Sequence, residues 1–183
     1  TTSRERVLQA INHQQTDRVP IDLGGHRSSG MMAIAYSKLK RHLGITTGDI
    51  YVYDVVQQLA IIEPEVRERF GVDTIELGRG FALSPQDWRD WVLPDGTPCK
   101  VPAFIKPVRV GDDWHVYHPD GTLIAIQKAG CLYFEQTVHP LSNYQGMDFG
   151  DLAGPLDRVM WGHMGTPPAP IGYDAEGLAK LSE

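Results

Sequence analysis

Proline is spread very unevenly along this 183-residue chain, and that asymmetry limits its possible folds more than any single motif does. Of the 13 prolines, eleven lie between Pro85 and Pro170. Proline lacks an amide hydrogen and fixes its own φ, so it breaks helices and keeps to strand edges and turns. Residues 1–83 carry alternating helix and strand patterns, and residues 84–140 read as hairpins. Residues 141–183 read as a return segment that ends in the start of a further helix.

The first helix is expected after a cap at Ser3, with Val7, Leu8 and Ile11 on one face. Val19-Pro20-Ile21-Asp22-Leu23 reads as a short strand, and Pro20 favours an edge or its first position. It empties into the loop Gly24-Gly25-His26-Arg27-Ser28-Ser29-Gly30. The next helix carries Met32, Tyr36, Leu39 and Leu43, stops at Gly44, and presents Lys40 at its surface. A further helical stretch is expected over Val55, Val56, Leu59 and Ala60. Another runs from Pro64 to Phe70 and ends at Gly71. Val72 to Leu77 then reads as a strand entering Gly78-Arg79-Gly80. Strands that alternate with helices and run into glycine-bearing loops predict a parallel α/β design.

Beyond Trp88 the pattern changes. Pro94-Asp95-Gly96 and Pro119-Asp120-Gly121 are turn signals between β-rich runs such as Trp114–Tyr117 and Leu123–Ile126. Two hairpins forming an antiparallel flap are expected, with Trp88, Trp91, Trp114, Tyr117, Tyr133 and Phe134 packing across them.

Composition narrows the function. A net charge of -6, from 17 basic and 23 acidic residues, argues against a broad basic face for nucleic acid. No apolar run approaches the roughly 18 residues that span a bilayer, and the N-terminal residues contain no signal-peptide core. Cys99 and Cys131 are the only cysteines, which excludes a disulfide scaffold or a four-cysteine zinc site within the chain. A cytoplasmic protein with reduced thiols is the expectation.

The loop from Gly24 to Gly30 is the leading candidate site. Its small residues let a ligand approach the backbone, while His26 and Arg27 suit a carboxylate or phenolate. It lacks both the Walker spacing and the G-x-G-x-x-G fingerprint of nucleotide sites. Asp54 and Glu76 are candidate acid or base groups: Asp54 reads chiefly as a helix cap, and Glu76 sits near a strand end. His115 and His118 face opposite sides of an expected strand, so they read as structural rather than metal-binding. Cys131 and His139 lack further close ligands, and no G-x-S-x-G or Cys/His nucleophile arrangement is visible.

Three segments together resemble a known family: Ser3-Arg-Glu-Arg-Val-Leu-Gln-Ala-Ile-Asn-His13, Asp17-Arg-Val-Pro-Ile-Asp22 and Arg69-Phe-Gly-Val-Asp73. They look like the N-terminal part of the uroporphyrinogen decarboxylase superfamily, closer to its corrinoid-dependent methyltransferase (O-demethylase) branch. Tyr53-Asp-Val-Val-Gln-Gln-Leu59 and Glu63-Pro-Glu-Val-Arg-Glu-Arg-Phe-Gly71 extend the likeness. The resemblance implies a (β/α)8 TIM barrel, a fold that typically needs about 250 residues. Residues 1–83 would then hold the first βα units, 84–140 an inserted β-hairpin flap, and 141–183 the return to the next barrel helix. On this reading the chain is the N-terminal half of a barrel. It would pair with the remaining half or with another copy of itself, through the edge left by Val19-Ile21-Leu23 and Val72-Ile75-Leu77.

The resemblance also implies an activity: methyl transfer between a methylated substrate, a corrinoid protein and an acceptor such as tetrahydrofolate or coenzyme M. His26 and Glu76 would be the catalytic residues at the barrel mouth, and Arg27 and Ser28 would bind substrate. The corrinoid would sit on a partner protein. Zinc would require ligands from the missing C-terminal half, and no metal ligand is carried over to Cys99, Cys131 or any histidine. Two departures separate the chain from true uroporphyrinogen decarboxylases. Leu23-Gly-Gly-His-Arg27 replaces their Met-Arg-Gln-Ala-Gly-Arg-like segment, and Arg79 or Gly80 stands where they place an aspartate after the second strand. Decarboxylation of a non-porphyrin substrate is the enzymatic alternative, and a non-catalytic fragment or binding subunit is the other.

Overall fold

Reciprocal side-chain bonds set the start of the first helix, α1 (Ser3–Ile11). The Thr2 hydroxyl accepts the Glu5 amide at 3.2 Å, and the Glu5 carboxylate accepts the Thr2 amide at 2.8 Å. This capping box places the cap one residue before the expected Ser3. The computed structural model describes residues 1–76, 84–142, 145 and 150–164. Leu77, the Gly78-Arg79-Gly80 loop and most of the return segment lie outside the described residues.

Helix α2 (Ala33–His42) spans the expected region. Helix α3 (Pro64–Phe70) opens on Pro64 and stops at Gly71, whose φ of 60° is in the left-handed region. Two short helices, α4 (Ala153–Asp157) and α5 (Met160–Met164), follow the hairpin region.

The strands form three sheets among the described residues. β1 (Met31–Met32), β2 (Val52–Asp54) and β3 (Leu59–Ala60) pair in the order β1-β3-β2. β4 (Trp88–Val92) pairs with β5 (Pro98–Pro102) around the Pro94-Asp95-Gly96 turn, where the Asp95 carboxylate accepts the Thr97 amide. β6 (Val108–Val110), β7 (Asp113–Tyr117), β8 (Leu123–Gln127) and β9 (Glu135–Gln136) make a four-stranded sheet in sequence order. The β7–β8 connection is the expected Pro119-Asp120-Gly121 turn, with the Asp120 carboxylate accepting the Thr122 amide. Every strand pairing in these sheets is antiparallel.

The architecture is therefore mixed α/β with antiparallel sheets, and the expected parallel design is corrected. Among the described residues there is no parallel sheet and no closed barrel. Val19–Leu23 and Val72–Glu76 are not strands. They lie side by side with one backbone bond between them, from the Asp73 amide to the Ile21 carbonyl at 2.8 Å. Pro20 has no amide hydrogen to give, and the Ile21 amide donates instead to the Asp73 carboxylate at 2.9 Å. Side-chain bonds thus replace a regular ladder. Val19 is 78% exposed and Ile75 62%.

A second correction concerns Val55 to Ala60, expected as helix. β2 ends at Asp54, residues 55–58 turn, and β3 begins at Leu59. Gln58 takes a positive φ of 55°, which a continuing helix cannot contain. Val55, Val56, Leu59 and Ala60 are all buried, so no helical stripe was there to be seen. Lys40 is also corrected, because it is buried rather than on the surface. Its ammonium lies 2.5 Å from Glu63 Oε2 and donates to the Thr47 carbonyl at 2.8 Å.

The core joins α2, α3 and the hairpin sheets through Ala33, Tyr36, Val52, Val66, Ile105 and Ile124. Two side-chain amides tie two sheets to one strap. Gln58 Nε2 and Gln127 Nε2 both donate to the Leu132 carbonyl, the latter at 2.8 Å.

Candidate functional site

The loop after Leu23 folds back through a hydrogen-bonded turn. The Gly24 amide donates to the Ser29 carbonyl at 3.0 Å, and the Ser29 and Gly30 amides donate to the His26 and Arg27 carbonyls at 3.1 Å each. Residues Arg27–Ser29 form one turn of 3-10 helix capped by His26. Gly25 is needed for close approach: a Cβ there would lie 2.5 Å from both Asp22 Oδ1 and Thr74 Oγ1.

Asp22 organises the base of this loop. Its carboxylate accepts the Gly25 amide at 2.9 Å and the Thr74 hydroxyl at 2.5 Å. Burial pushes the Asp22 carboxyl up, but hydrogen bonds from Thr74, Ser29 and the Gly25 amide outweigh it and hold it below the usual value. Asp22 therefore stays ionised and structural.

Arg27 projects onto Asp54. The guanidinium Nε lies 2.9 Å from Asp54 Oδ2, and the Asp54 side chain is fully buried. The other carboxylate oxygen accepts the Gln57 amide at 2.9 Å, and Gln57 Nε2 reaches Oδ2 at 3.2 Å. Asp54 thus caps a turn, as aspartate often does, while also anchoring a cation that is about one-third exposed. The sequence placed Asp54 at a helix start, so its pairing with Arg27 was not foreseen. No local signal could have revealed it, since 27 residues separate the two.

His26 is exposed at the turn, and its Nδ1 accepts the Ser28 amide at 3.1 Å. That bond assigns the neutral ring's proton to Nε2, the nitrogen left to face a ligand. Ser28 is exposed beside it. Glu76 is half-buried two residues beyond Thr74, on the segment that meets Asp22, and it is not in a strand. The structure therefore brings Arg27 to Asp54 and sets His26 and Ser28 on the same turn. Arg79 and Gly80 lie outside the described residues.

The other titratable residues serve packing and turns. His115 Nδ1 lies 3.1 Å from the Tyr117 hydroxyl. His118 sits between Asp120 and Asp157, at 2.9 and 3.0 Å, with its ring edge-on to His163. Among the described residues, no three His, Cys, Asp or Glu side chains are grouped to hold a metal. No helix there is long and apolar enough to cross a membrane.

At the opposite end of the two adjoining segments, the family-like motifs converge. Arg6 bonds Asp17 through Nε at 2.7 Å and Asp73 through Nη1 at 2.6 Å. Arg18 bonds the same Asp73 at 2.7 and 3.0 Å and the Gly71 carbonyl at 2.8 Å. Comparison with protein-family models, with curated proteins and with solved structures finds no match for this chain.

Proposed function

We propose that the chain is the N-terminal part of a methyltransferase of the corrinoid-dependent type. It would move a methyl group between a methylated substrate, a corrinoid protein and an acceptor such as tetrahydrofolate or coenzyme M. The observation that carries the reading is the Arg27–Asp54 pair beside His26, a cation fixed on a buried carboxylate next to an exposed imidazole whose Nδ1 is taken by the Ser28 amide. Arg27 orients an anionic group of the ligand, and Asp54 holds Arg27 in place. His26 exchanges a proton at Nε2 with the heteroatom that loses or gains the methyl group, and Glu76 is the second proton carrier at the mouth. The corrinoid, carried on a partner protein, supplies the methyl-exchanging centre.

Two further observations support the barrel that the resemblance implies. Ile21 meets Asp73 and Asp22 meets Thr74, so the segments advance in the same direction, as neighbouring barrel strands do. Val19 and Ile75 are also largely exposed on these segments, which favours cover by the remaining barrel half or by another copy. The test uses the full-length protein with a corrinoid protein and a panel of methylated ethers, amines and thiols, following the visible spectrum of the corrinoid. Turnover is expected with one donor class, and His26→Ala and Arg27→Ala should each lower it by roughly 10²-fold. A silent spectrum with every donor, or variants as fast as Lys38→Ala, overturns the proposal.

A further inference from the structure

A cavity of about 750 Å³ opens between the C-terminal half of α2, the loop at residues 45–50 and the β4–β5 hairpin. Small-molecule sites typically fall between roughly 300 and 1,000 Å³ and are mostly apolar with a few convergent polar groups. The cavity shares no lining residue with the Arg27–Asp54 loop, so it stands apart from the methyl-transfer reading.

Its walls are aromatic and held in place. Trp91 from β4 and Trp114 from β7 meet with ring centroids 4.6 Å apart, tilted by 59°. Arg89 sits over the Trp91 ring and Arg109 over the Trp114 ring, at 5.2 and 5.3 Å, so Trp91 is held from its own strand and Trp114 from the paired strand β6. Ile45, Ile50 and Cys99 are buried and line the same space. Burial, and secondarily the charge of Asp95, push the Cys99 thiol up to about 12. It therefore presents a small neutral surface rather than a nucleophile.

Two of the three cations that line the cavity are paired: Lys40 with Glu63, and Lys100 with Asp90 at 2.7 Å and with Asp49, a further lining carboxylate, at 3.7 Å. Arg41 lines the cavity from the exposed last turn of α2 and has no ion-pair partner among the described residues. Ser37, Thr46 and Thr47 place hydroxyls near the same rim. A mostly apolar cavity walled by two indoles, with Arg41 as its one lining cation without an ion-pair partner among the described residues, suits an aromatic ring bearing a single negative charge.

We propose that this cavity binds an aromatic monoanion of one or two fused rings, with the ring against Trp91, Trp114 and Ile45 and the anionic group at Arg41. Calorimetric titration with 2-naphthoate tests it, with naphthalene-2-carboxamide as the neutral probe. One saturable site is expected for naphthoate. Arg41→Gln should weaken it about tenfold while leaving the carboxamide unaffected. Val92→Trp, placed on the exposed rim so that folding is preserved, should abolish binding of both probes by filling the mouth. Both variants are first checked for wild-type melting. Absence of saturable heat, equal affinity for both probes, or naphthoate binding unchanged in both variants overturns the proposal.

Discussion

Arg6 Nη1 lies 2.6 Å from Asp73 Oδ1 across 67 residues of chain, and both side chains are almost fully shielded from water. Arg6 also holds Asp17, while Asp73 receives Arg18 and the Ile21 amide. All three family-like segments thus meet in one charge cluster. Cutting it should loosen α1 and both adjoining segments together. Asp73→Asn is expected to lower the melting temperature clearly more than Asp112→Asn, whose carboxylate is 89% exposed. Equal melting of the two variants in a thermal scan would show the cluster to be dispensable.

The same cluster predicts acid sensitivity. Arg6 holds the Asp17 carboxyl down to about 2, against an ordinary value of 3.8. Burial alone would raise Asp73, but Arg18, the Ile21 amide, Ser3 and Arg6 outweigh it and hold it well below that value. Both folded values are depressed, so their contribution is present above pH 3.8 and lost as pH falls towards 2 and below. Urea unfolding at stepped pH should show this loss, and the double variant Asp17→Asn/Asp73→Asn should flatten it.

Removing Arg27 leaves the buried Asp54 carboxylate with Gln57 as its one donor among the described residues. Arg27→Ala should cost about 1–3 kcal/mol. Arg27→Gln combined with Asp54→Asn should recover part of that, because no buried charge then remains uncompensated. Denaturant melts of Arg27→Gln, Asp54→Asn and their double variant measure the coupling, and strictly additive costs would mean that the pair contributes nothing.

Gly25→Ala places a methyl 2.5 Å from Asp22 Oδ1 and Thr74 Oγ1, closer than real contacts allow. The loop must shift, at roughly 1–3 kcal/mol. Adding Thr74→Ser should leave the clash, since the hydroxyl is retained, whereas adding Thr74→Ala should relieve part of it. Chemical denaturation of the single and double variants separates these outcomes.

Burial, and next the nearby His118, push the His163 imidazole below its ordinary value of 6.5, against the opposing charge of Asp157. The folded chain therefore resists protonation more than the unfolded chain does. Stability is full above about pH 6.5 and declines as pH falls below it, the reverse of a histidine that gains a carboxylate partner. His163→Gln should reduce the slope of melting temperature against pH between about 5 and 6.5. An unchanged slope would assign that sensitivity to another histidine.

Features controlled by neighbouring residues were legible in the sequence. The Pro-Asp-Gly turns, the Gly71 stop and the extent of α2 each depend on chemistry within a few positions. The cap was misplaced by one residue because Thr2 and Ser3 have the same hydroxyl chemistry, and only the Glu5 partner distinguishes them. The Val55–Ala60 stretch was misread because a fully buried apolar run has no periodicity to separate helix from strand. Long-range choices were invisible. Nothing near Pro20 tells that the Ile21 amide bonds a carboxylate 52 residues away instead of a strand. The loop of His26, Arg27 and Ser28 was found by its glycines, while its anchor Asp54 required the folded chain.

The carbonyl of Leu132 accepts amides from Gln58 and Gln127 at once, which occupies both lone pairs of a single oxygen. Gln58 closes the turn whose other corner is Asp54, and Gln127 ends β8 of the four-stranded sheet. One oxygen atom therefore acts as a rivet through two layers. Any movement that swings the Lys128–Leu132 strap outward pulls on both layers together. The aspartate beneath Arg27 is in this way mechanically continuous with the β7–β8 hairpin.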